Sequence, residues 1–404
     1  MAVRSITTVR TDLHENLVWV LVETEDGLVG TGETFFSPGA VEAHVHDVIA
    51  PALLGGDETR IGAWHRRFMN HPVGHGASGA ETRAASAIDM ALWDIAGKSA
   101  DRPLWRLFGG LAADTVPVYA TRAGPRYATT TKNEADIERW FGVDGALDPL
   151  DDLGGWRERP AALARELLGE GFAGMKIWPF DEAAYRRRGL GLSAKDIAEG
   201  VRPVAMIRDA VGADLDIMVD LHGLLDVESA IRVADALEPF GIAWLEDPIR
   251  MDDTDGLADL KAATGIPLLG SETTAGVGAF ARLIASRAID IVSFDVGWSG
   301  GFTTCRDVAA LARGAGLAIV PHDCTGPIGY AAAATLALCE PNARLMETVR
   351  AYTRGWYARV ATDLPPIVDG RMRPLPGAGH GGVLRPEFLA APTTRARAST
   401  RQRS

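Results

Sequence analysis

Six acidic or basic side chains close successive apolar runs of this chain: Asp220 after IMV, Glu246 after IAWL, Glu272 after IPLLGS, Asp295 after IVSF, His322 after AIVP and Glu347 after RLM. They stand 26, 26, 23, 27 and 25 residues apart. A step of about 25 residues is one strand, one helix and their loops, so all six would share the C-terminal ends of consecutive parallel strands and converge there. One acid behind one strand would be an ordinary salt-bridged loop carboxylate. Three in register repel one another and cannot all stay ionised uncompensated. Oxygen-only ligands with coordination positions to spare suit Mg²⁺ better than zinc. Asp220, Glu246 and Glu272 are therefore the candidate ligands of one magnesium ion per site.

The other polar residues complete a proton-transfer set. Asp295 can hold one imidazole nitrogen of His322, fix its tautomer and make the other nitrogen a general base. Taken alone, His322 would read as a histidine satisfied by a nearby carbonyl. His222 lies two residues beyond Asp220 and projects to the same side of an extended strand, as a proton donor to a leaving group or as a buttress of the metal site. Lys176, between Met175 and Ile177 in an apolar strand, would bring a cation to the metal rather than to solvent. Such a set suits removal of a proton α to a carboxylate, which leaves charge on the carboxylate oxygens and needs fixed positive charge beside them. A general base contributes about 10²- to 10⁴-fold, so the cations must carry much of the remainder.

These side chains need a scaffold. Candidate strands fall at 116–119, 174–178, 215–221, 242–246, 266–269, 289–295, 317–322 and 344–347, most separated by Ala- and Leu-rich helical stretches. Eight units of this kind match an α/β TIM barrel of about 250 residues, with a doubly wound sheet as the alternative. The first hundred residues differ. Asp26-Gly27 sits between alternating apolar runs as a hairpin turn should, and Ala84, Ile88, Ala91, Leu92 and Ile95 mark a helical stripe ending near Gly97. With 47% hydrophobic and 23% charged residues, the 404-residue chain is long enough for a soluble protein of two domains. A net charge of −12 and a pI near 5.3 give no electrostatic footprint for nucleic acid or an anionic membrane. Three cysteines without a CxxC pair fit neither a disulfide framework nor a zinc ribbon, and no run approaches 18 apolar residues. Without an apolar stretch at the start, a cytoplasmic address is expected.

The sequence resembles the mandelate racemase/muconate lactonizing enzyme branch of the enolase superfamily, nearest to acid-sugar dehydratases of the galactonate dehydratase type. The likeness rests on ETEDGLVGTGE at 23–33, SAIDMALWDIAGK at 86–98, GFAGMK at 171–176, DLH at 220–222, LEDP at 245–248, FDVGWSGG at 294–301, PHDCTGPIG at 321–329 and MET at 346–348. It implies an α+β capping domain over residues 1–113 and a modified (β/α)₇β barrel over 114–350. Residues 351–390 would return to the cap, and the composition of the end of the chain, with Arg395, Arg397, Arg401 and Arg403 interleaved with Thr, Ser and Ala, reads as a solvated, disordered tail over 391–404. It also implies magnesium on Asp220, Glu246 and Glu272, a His322 and Asp295 base pair, and Glu347 bonded to the substrate carboxylate. Racemases of this branch carry a second lysine where this chain has Trp178, so two-base racemisation lacks its usual partner. A histidine at the place of His222 is the acid that expels the β-hydroxyl in the dehydratases.

The expected activity is therefore Mg²⁺-dependent dehydration of an aldonate-like acid sugar through an enediolate, a hydro-lyase reaction giving a 2-keto-3-deoxy acid. Epimerisation, racemisation or cycloisomerisation through the same intermediate are the alternatives. Gly297-Trp298-Ser299-Gly300-Gly301 also fits a serine hydrolase elbow, but no triad in the usual order follows, and the ladder acids would be unexplained. A non-catalytic sugar-acid binding protein would not need the full ladder. Lys176, Glu347, Trp178 and His14 are the candidate substrate contacts. Specificity is expected near His14, Glu15 and Asn16, in the loop 72–78 and in the long insertion 122–157, and relatives of this branch imply a homo-oligomer.

Overall fold

Strand Val3–Thr11 (β1) pairs antiparallel with Leu17–Thr24 (β2), and β2 with Val29–Phe35 (β3), across a turn where Gly27 takes a φ of 88°. The helix Ala80–Ser99 lies on this sheet and turns Ala84, Ala87, Ile88, Ala91 and Ile95 into the shared core, the three- and four-residue spacing of one helical face. Contact is close at two glycines. A Cβ on Gly30 would lie 2.0 Å from the Ala91 carbonyl oxygen, and one on Gly32 1.8 Å from that of Ala87. Only a residue without a side chain lets β3 approach the helix this far. This computed structural model describes residues 2–69, 79–125 and 150–401. The loop 72–78 and most of the insertion, 126–149, lie outside them.

Eight parallel strands follow: Val116–Thr121 (β4), Gly174–Ile177 (β5), Asp216–Asp220 (β6), Trp244–Glu246 (β7), Leu268–Gly270 (β8), Ile291–Phe294 (β9), Ala318–Pro321 (β10) and Met346–Thr348 (β11). Neighbours pair in chain order from β4 to β10, and β11 pairs with β4. The ring closes where Ile319 of β10 donates to the Asn342 carbonyl at 2.9 Å and accepts from the Arg344 amide at 3.0 Å. The fold is a modified TIM barrel, α/β in class, with β11 as the last strand and the α+β cap at the C-terminal ends of the strands. Apolar side chains Tyr119, Met218, Trp244, Val320 and Leu345 meet inside it. Two residues further along the same strands, and so on the same inward side, come Thr121, Asp220, Glu246, His322 and Glu347. The polar ladder is thus one layer nearer the mouth than the apolar plug.

Cap carboxylates fasten the two parts together. Glu33 accepts from the Ile328 and Gly329 amides at 3.2 and 2.9 Å, at the start of helix Pro327–Cys339. Asp89 accepts from the Thr303 amide at 2.9 Å and the Thr303 hydroxyl at 2.6 Å, at the start of helix Gly301–Gly314. First-turn amides have no partner within their own helix, so each acid satisfies groups that the barrel cannot. The C-terminal segment adds His380, whose Nε2 lies 2.8 Å from the Thr31 carbonyl oxygen.

The end of the chain corrects the expectation of a disordered tail. Thr394–Thr400 is a strand paired antiparallel with β1, in register from Thr11 opposite Thr394 to Ser5 opposite Thr400. Of the interleaved arginines that suggested a solvated terminus, Arg395 and Arg397 are period-two strand positions. Arg395, Arg397 and Arg401 reach Asp12, Asp47 and Glu25 on the acidic cap. Among the described residues no helix is long and apolar enough to cross a membrane.

Candidate active site

Burial and crowding set the electrostatics of the barrel mouth. One oxygen each from Asp220, Glu246 and Glu272 lies within 4.8 Å of the others, with the first two acids buried. Lys176, projecting inward from β5 and 1% exposed, places Nζ 3.1 Å from Asp220, 2.5 Å from Glu246 and 2.9 Å from Glu347. Burial would lower the lysine pKa, but Glu246, Glu347 and Asp220 outweigh it and hold it well above the usual value. Burial pushes Glu246 well up, and burial with the Glu272 charge does the same to Asp247. One ammonium cannot balance Asp220, Glu246, Asp247, Glu272 and Glu347. That surplus, the all-oxygen donor set and the spacing of the three acids fit a hard divalent cation.

The exits from β6 and β7 turn sharply. His222 has φ 49° and Asp247 φ 37°, left-handed values that cost non-glycine residues energy and concentrate at functional sites. The Asp220 carboxylate supports the first turn by accepting from the His222 amide at 2.9 Å.

Two histidine–carboxylate pairs face the cluster. His322 Nδ1 lies 2.7 Å from Asp295 Oδ2, and its Nε2 is 3.3 Å from Glu272 and 4.0 Å from Glu347. Burial would lower the His322 pKa, but Glu272, Glu347 and Asp295 overcome it and raise it. Across the mouth, His222 Nδ1 lies 2.8 Å from Asp181 Oδ2 and Nε2 3.6 Å from Asp220. Here too burial acts downward, and Asp181 and Asp220 push the imidazolium up to about 10. In a ring of eight strands, β6 and β10 are four apart, so these histidines stand on opposite sides.

Aromatic side chains wall both pairs. The Trp298 ring is 5.0 Å from that of His322, and the cap residue Arg83 lies 4.5 Å over Trp298 while donating to the Phe35 carbonyl at 2.8 Å. Trp178 meets His222 edge-on at 5.7 Å and Trp156 at 6.4 Å. Glu347, fully buried, accepts from the Thr121 hydroxyl and, at 3.0 Å, from the Asp323 amide. His14 stacks on Trp356, in the segment after β11, and among the described residues no hydrogen bond or ring contact joins it to the acid cluster. Ser299 of the elbow-like motif donates to the Thr274 carbonyl at 2.9 Å, an engagement that does not involve His322.

The structure therefore brings together the six ladder residues, Lys176 and His222, and puts Trp178 beside them. Sequence reasoning missed Asp181, Asp247, Arg83 and Trp298. Asp181 had a faint signal, five residues beyond Lys176 at the start of the short helix that follows β5. Arg83 had none, because it comes from a helix of the other domain.

The family described as mandelate racemase/muconate lactonizing enzyme, N-terminal domain, matches residues 2–109, and enolase C-terminal domain-like matches 159–388. An enolase protein from the Sargasso Sea environmental genome is 37% identical, superimposes with a TM-score of 0.88 and is covered along 100% of both chains. An enolase of the mandelate racemase subgroup from Agrobacterium tumefaciens is 36% identical, with a TM-score of 0.87 and 99% of each chain covered. A mandelate racemase/muconate lactonizing enzyme from Jannaschia sp. CCS1 is 26% identical, with a TM-score of 0.83 and 96% of each chain covered.

Proposed function

The chain belongs to the mandelate racemase/muconate lactonizing enzyme family of the enolase superfamily, and on that premise we propose that it dehydrates an acid sugar to a 2-keto-3-deoxy acid. The observation that carries this reading is the pair of opposed histidines, each with its own carboxylate, on either side of a three-acid cluster. Elimination needs a base at the α-carbon and an acid at the β-hydroxyl, and these are two sites rather than one.

Magnesium held by Asp220, Glu246 and Glu272 would supply the fixed positive charge against which a substrate carboxylate can accept the electrons of a broken Cα–H bond. Lys176 adds a second cation on those oxygens, and Glu347 orients it from 2.9 Å. His322 is a base only in its neutral form, reached where a bound cation offsets the Glu272 charge that holds its pKa up; its Nε2 would then take the α-proton while Asp295 holds Nδ1 and stabilises the imidazolium that forms. The electrons pass through an enediolate. His222 Nε2 then protonates the β-hydroxyl, which leaves as water, with Asp181 keeping the imidazolium stocked with a proton. The resulting enol takes up a proton at the β-carbon and becomes the 2-keto-3-deoxy acid.

The test is a panel of acid sugars incubated with enzyme and Mg²⁺, with the 2-keto product followed as its semicarbazone. EDTA should abolish product formation and added Mg²⁺ restore it. Solvent deuterium entering at Cα without any 2-keto product would replace dehydration by epimerisation, the second reading, which the mirrored His222 and Asp181 pair would serve by returning the proton on the opposite face.

A further inference from the structure

The three acids of the cluster are not held alike. Asp220 accepts from the His222 amide at 2.9 Å and has Lys176 Nζ 3.1 Å away. Glu246 accepts from Lys176 at 2.5 Å and from the Trp244 indole at 3.1 Å. Glu272 Oε2, by contrast, is buried and finds no hydrogen-bond donor among the described residues. His322 Nε2, 3.3 Å away, cannot anchor it during turnover, because that nitrogen must be free of its proton to act as the base. Glu272 is also the most accessible of the three, its side chain 12% exposed against 3% for Asp220 and 2% for Glu246. A ligand ordered only when the metal arrives takes the cost of its ordering out of the metal affinity.

What fixes Glu272 is the backbone on either side of it. Ser271, fully buried at the exit of β8, donates its hydroxyl proton to Asp247 Oδ2 at 2.8 Å and accepts from the Thr273 amide at 3.1 Å. Its own amide donates to the Ser293 carbonyl of β9 at 3.0 Å. The Thr273 hydroxyl, 2.7 Å from Ser271 Oγ and 3.4 Å from Asp247 Oδ2, joins the same group of bonds. Glu272 thus sits between two residues tied down by one hydroxyl. Asp247 follows Glu246 directly, and its amide donates to the Leu269 carbonyl of β8 at 3.0 Å. The bond from Ser271 to Asp247 therefore joins the residues next to two of the three acids, across the step from β7 to β8. Groups bonded behind metal ligands set the orientation of those ligands, and removing one typically costs about 10- to 100-fold in metal affinity.

We propose that Ser271 is a positioning residue for the metal site: its hydroxyl, bridging Asp247 and the Thr273 amide, holds Glu272 in the three-acid cluster before the cation arrives. The proposal rests on the magnesium assignment above and deepens it. Mg²⁺ alone is titrated into the metal-free full chain by calorimetry, with no substrate present. Ser271→Ala and Ser271→Gly, which both lack the hydroxyl, should each weaken Mg²⁺ binding about tenfold. Thr273→Val, which removes a hydroxyl but keeps the bridged amide, should stay within about twofold of wild type. In turnover the Mg²⁺ concentration for half-maximal rate should rise with the loss of affinity, while kcat at saturating Mg²⁺ stays within about twofold of wild type. A merely structural role would lower the Tm of the metal-free protein and leave the Mg²⁺ constant where it was. Either Ser271 variant binding Mg²⁺ within about twofold of wild type overturns the proposal. Absence of Mg²⁺ binding by the wild type is a different result, which overturns the metal assignment and this proposal with it.

Discussion

The two histidine–carboxylate pairs are chemically alike and differently housed. His322 is bonded to an acid on the neighbouring strand end, its side chain is 4% exposed, and Trp298 under Arg83 closes it from the cap. His222 is ion-paired with Asp181 at the start of a short helix, its side chain is 26% exposed, and beside it are Trp178 from the barrel and, behind that ring, Trp156 from the insertion. A base that must take a weakly acidic carbon-bound proton gains from a dry, fixed position, where cation and imidazole are not screened by water. An acid that must regain a proton every turnover gains from contact with solvent. Under the proposed dehydration, the contrast suits His322 to the base and His222 to the acid, roles that the residue types alone leave interchangeable.

Breaking the contrast at the base should have the largest effect. His322→Asn is expected to abolish α-proton exchange with solvent deuterium and to lower turnover by about 10²- to 10⁴-fold, read by NMR and product assay. Exchange at the wild-type rate would refute the base assignment. His222→Gln should cost about 10²-fold in product formation while leaving α-exchange measurable, because only the second half of the reaction loses its proton donor. Equal loss of both would place His222 in the first step instead. Asp181→Asn removes the partner and not the donor, so its effect should be smaller, about tenfold in kcat on product formation, with exchange unchanged.

A smaller effect should appear at the seam that closes the base side. Burial lifts Glu33 from 4.5 to about 8 and Asp89 from 3.8 to about 7, against the hydrogen bonds that favour their ionised forms. A carboxyl raised on folding contributes fully below its unfolded pKa and loses that contribution as pH climbs to the folded one. Thermal stability should therefore fall between about pH 4.5 and 8 through Glu33 and change no further through it above that. Glu33→Gln should flatten part of this slope, by on the order of 2 °C in Tm between pH 6 and 8. An unchanged slope would mean that Glu33 stays ionised throughout.

Much of this molecule was legible before folding because parallel strands write their function at their ends. Asp220, Glu246, Glu272, Asp295, His322 and Glu347 recur at one βα step, and period two along the strands puts Asp220, Glu246, His322 and Glu347 above the apolar plug, whereas Glu272 is three residues beyond the plug residue Leu269. The terminal strand was misread because its pattern, Thr-Arg-Ala-Arg-Ala-Ser-Thr, has no large apolar side chain and buries no residue; its stability comes from pairing with β1 and from acids on the cap. Asp181, Arg83 and Trp298 escaped notice because none closes an apolar run at the ladder's interval.

Local order along the chain, which residues sit on strands and which side they take, was determined by the sequence because strand pairing and side-chain alternation are short-range geometry. Tertiary structure alone decided which acid reaches which histidine, which histidine is sealed, and which cap residues lean over the barrel. Those outcomes depend on ring closure, which sets β6 opposite β10, and on two carboxylates, Glu33 and Asp89, meeting helix amides more than 200 residues away. Contacts at that separation arise from packing, and no local pattern of residues encodes them.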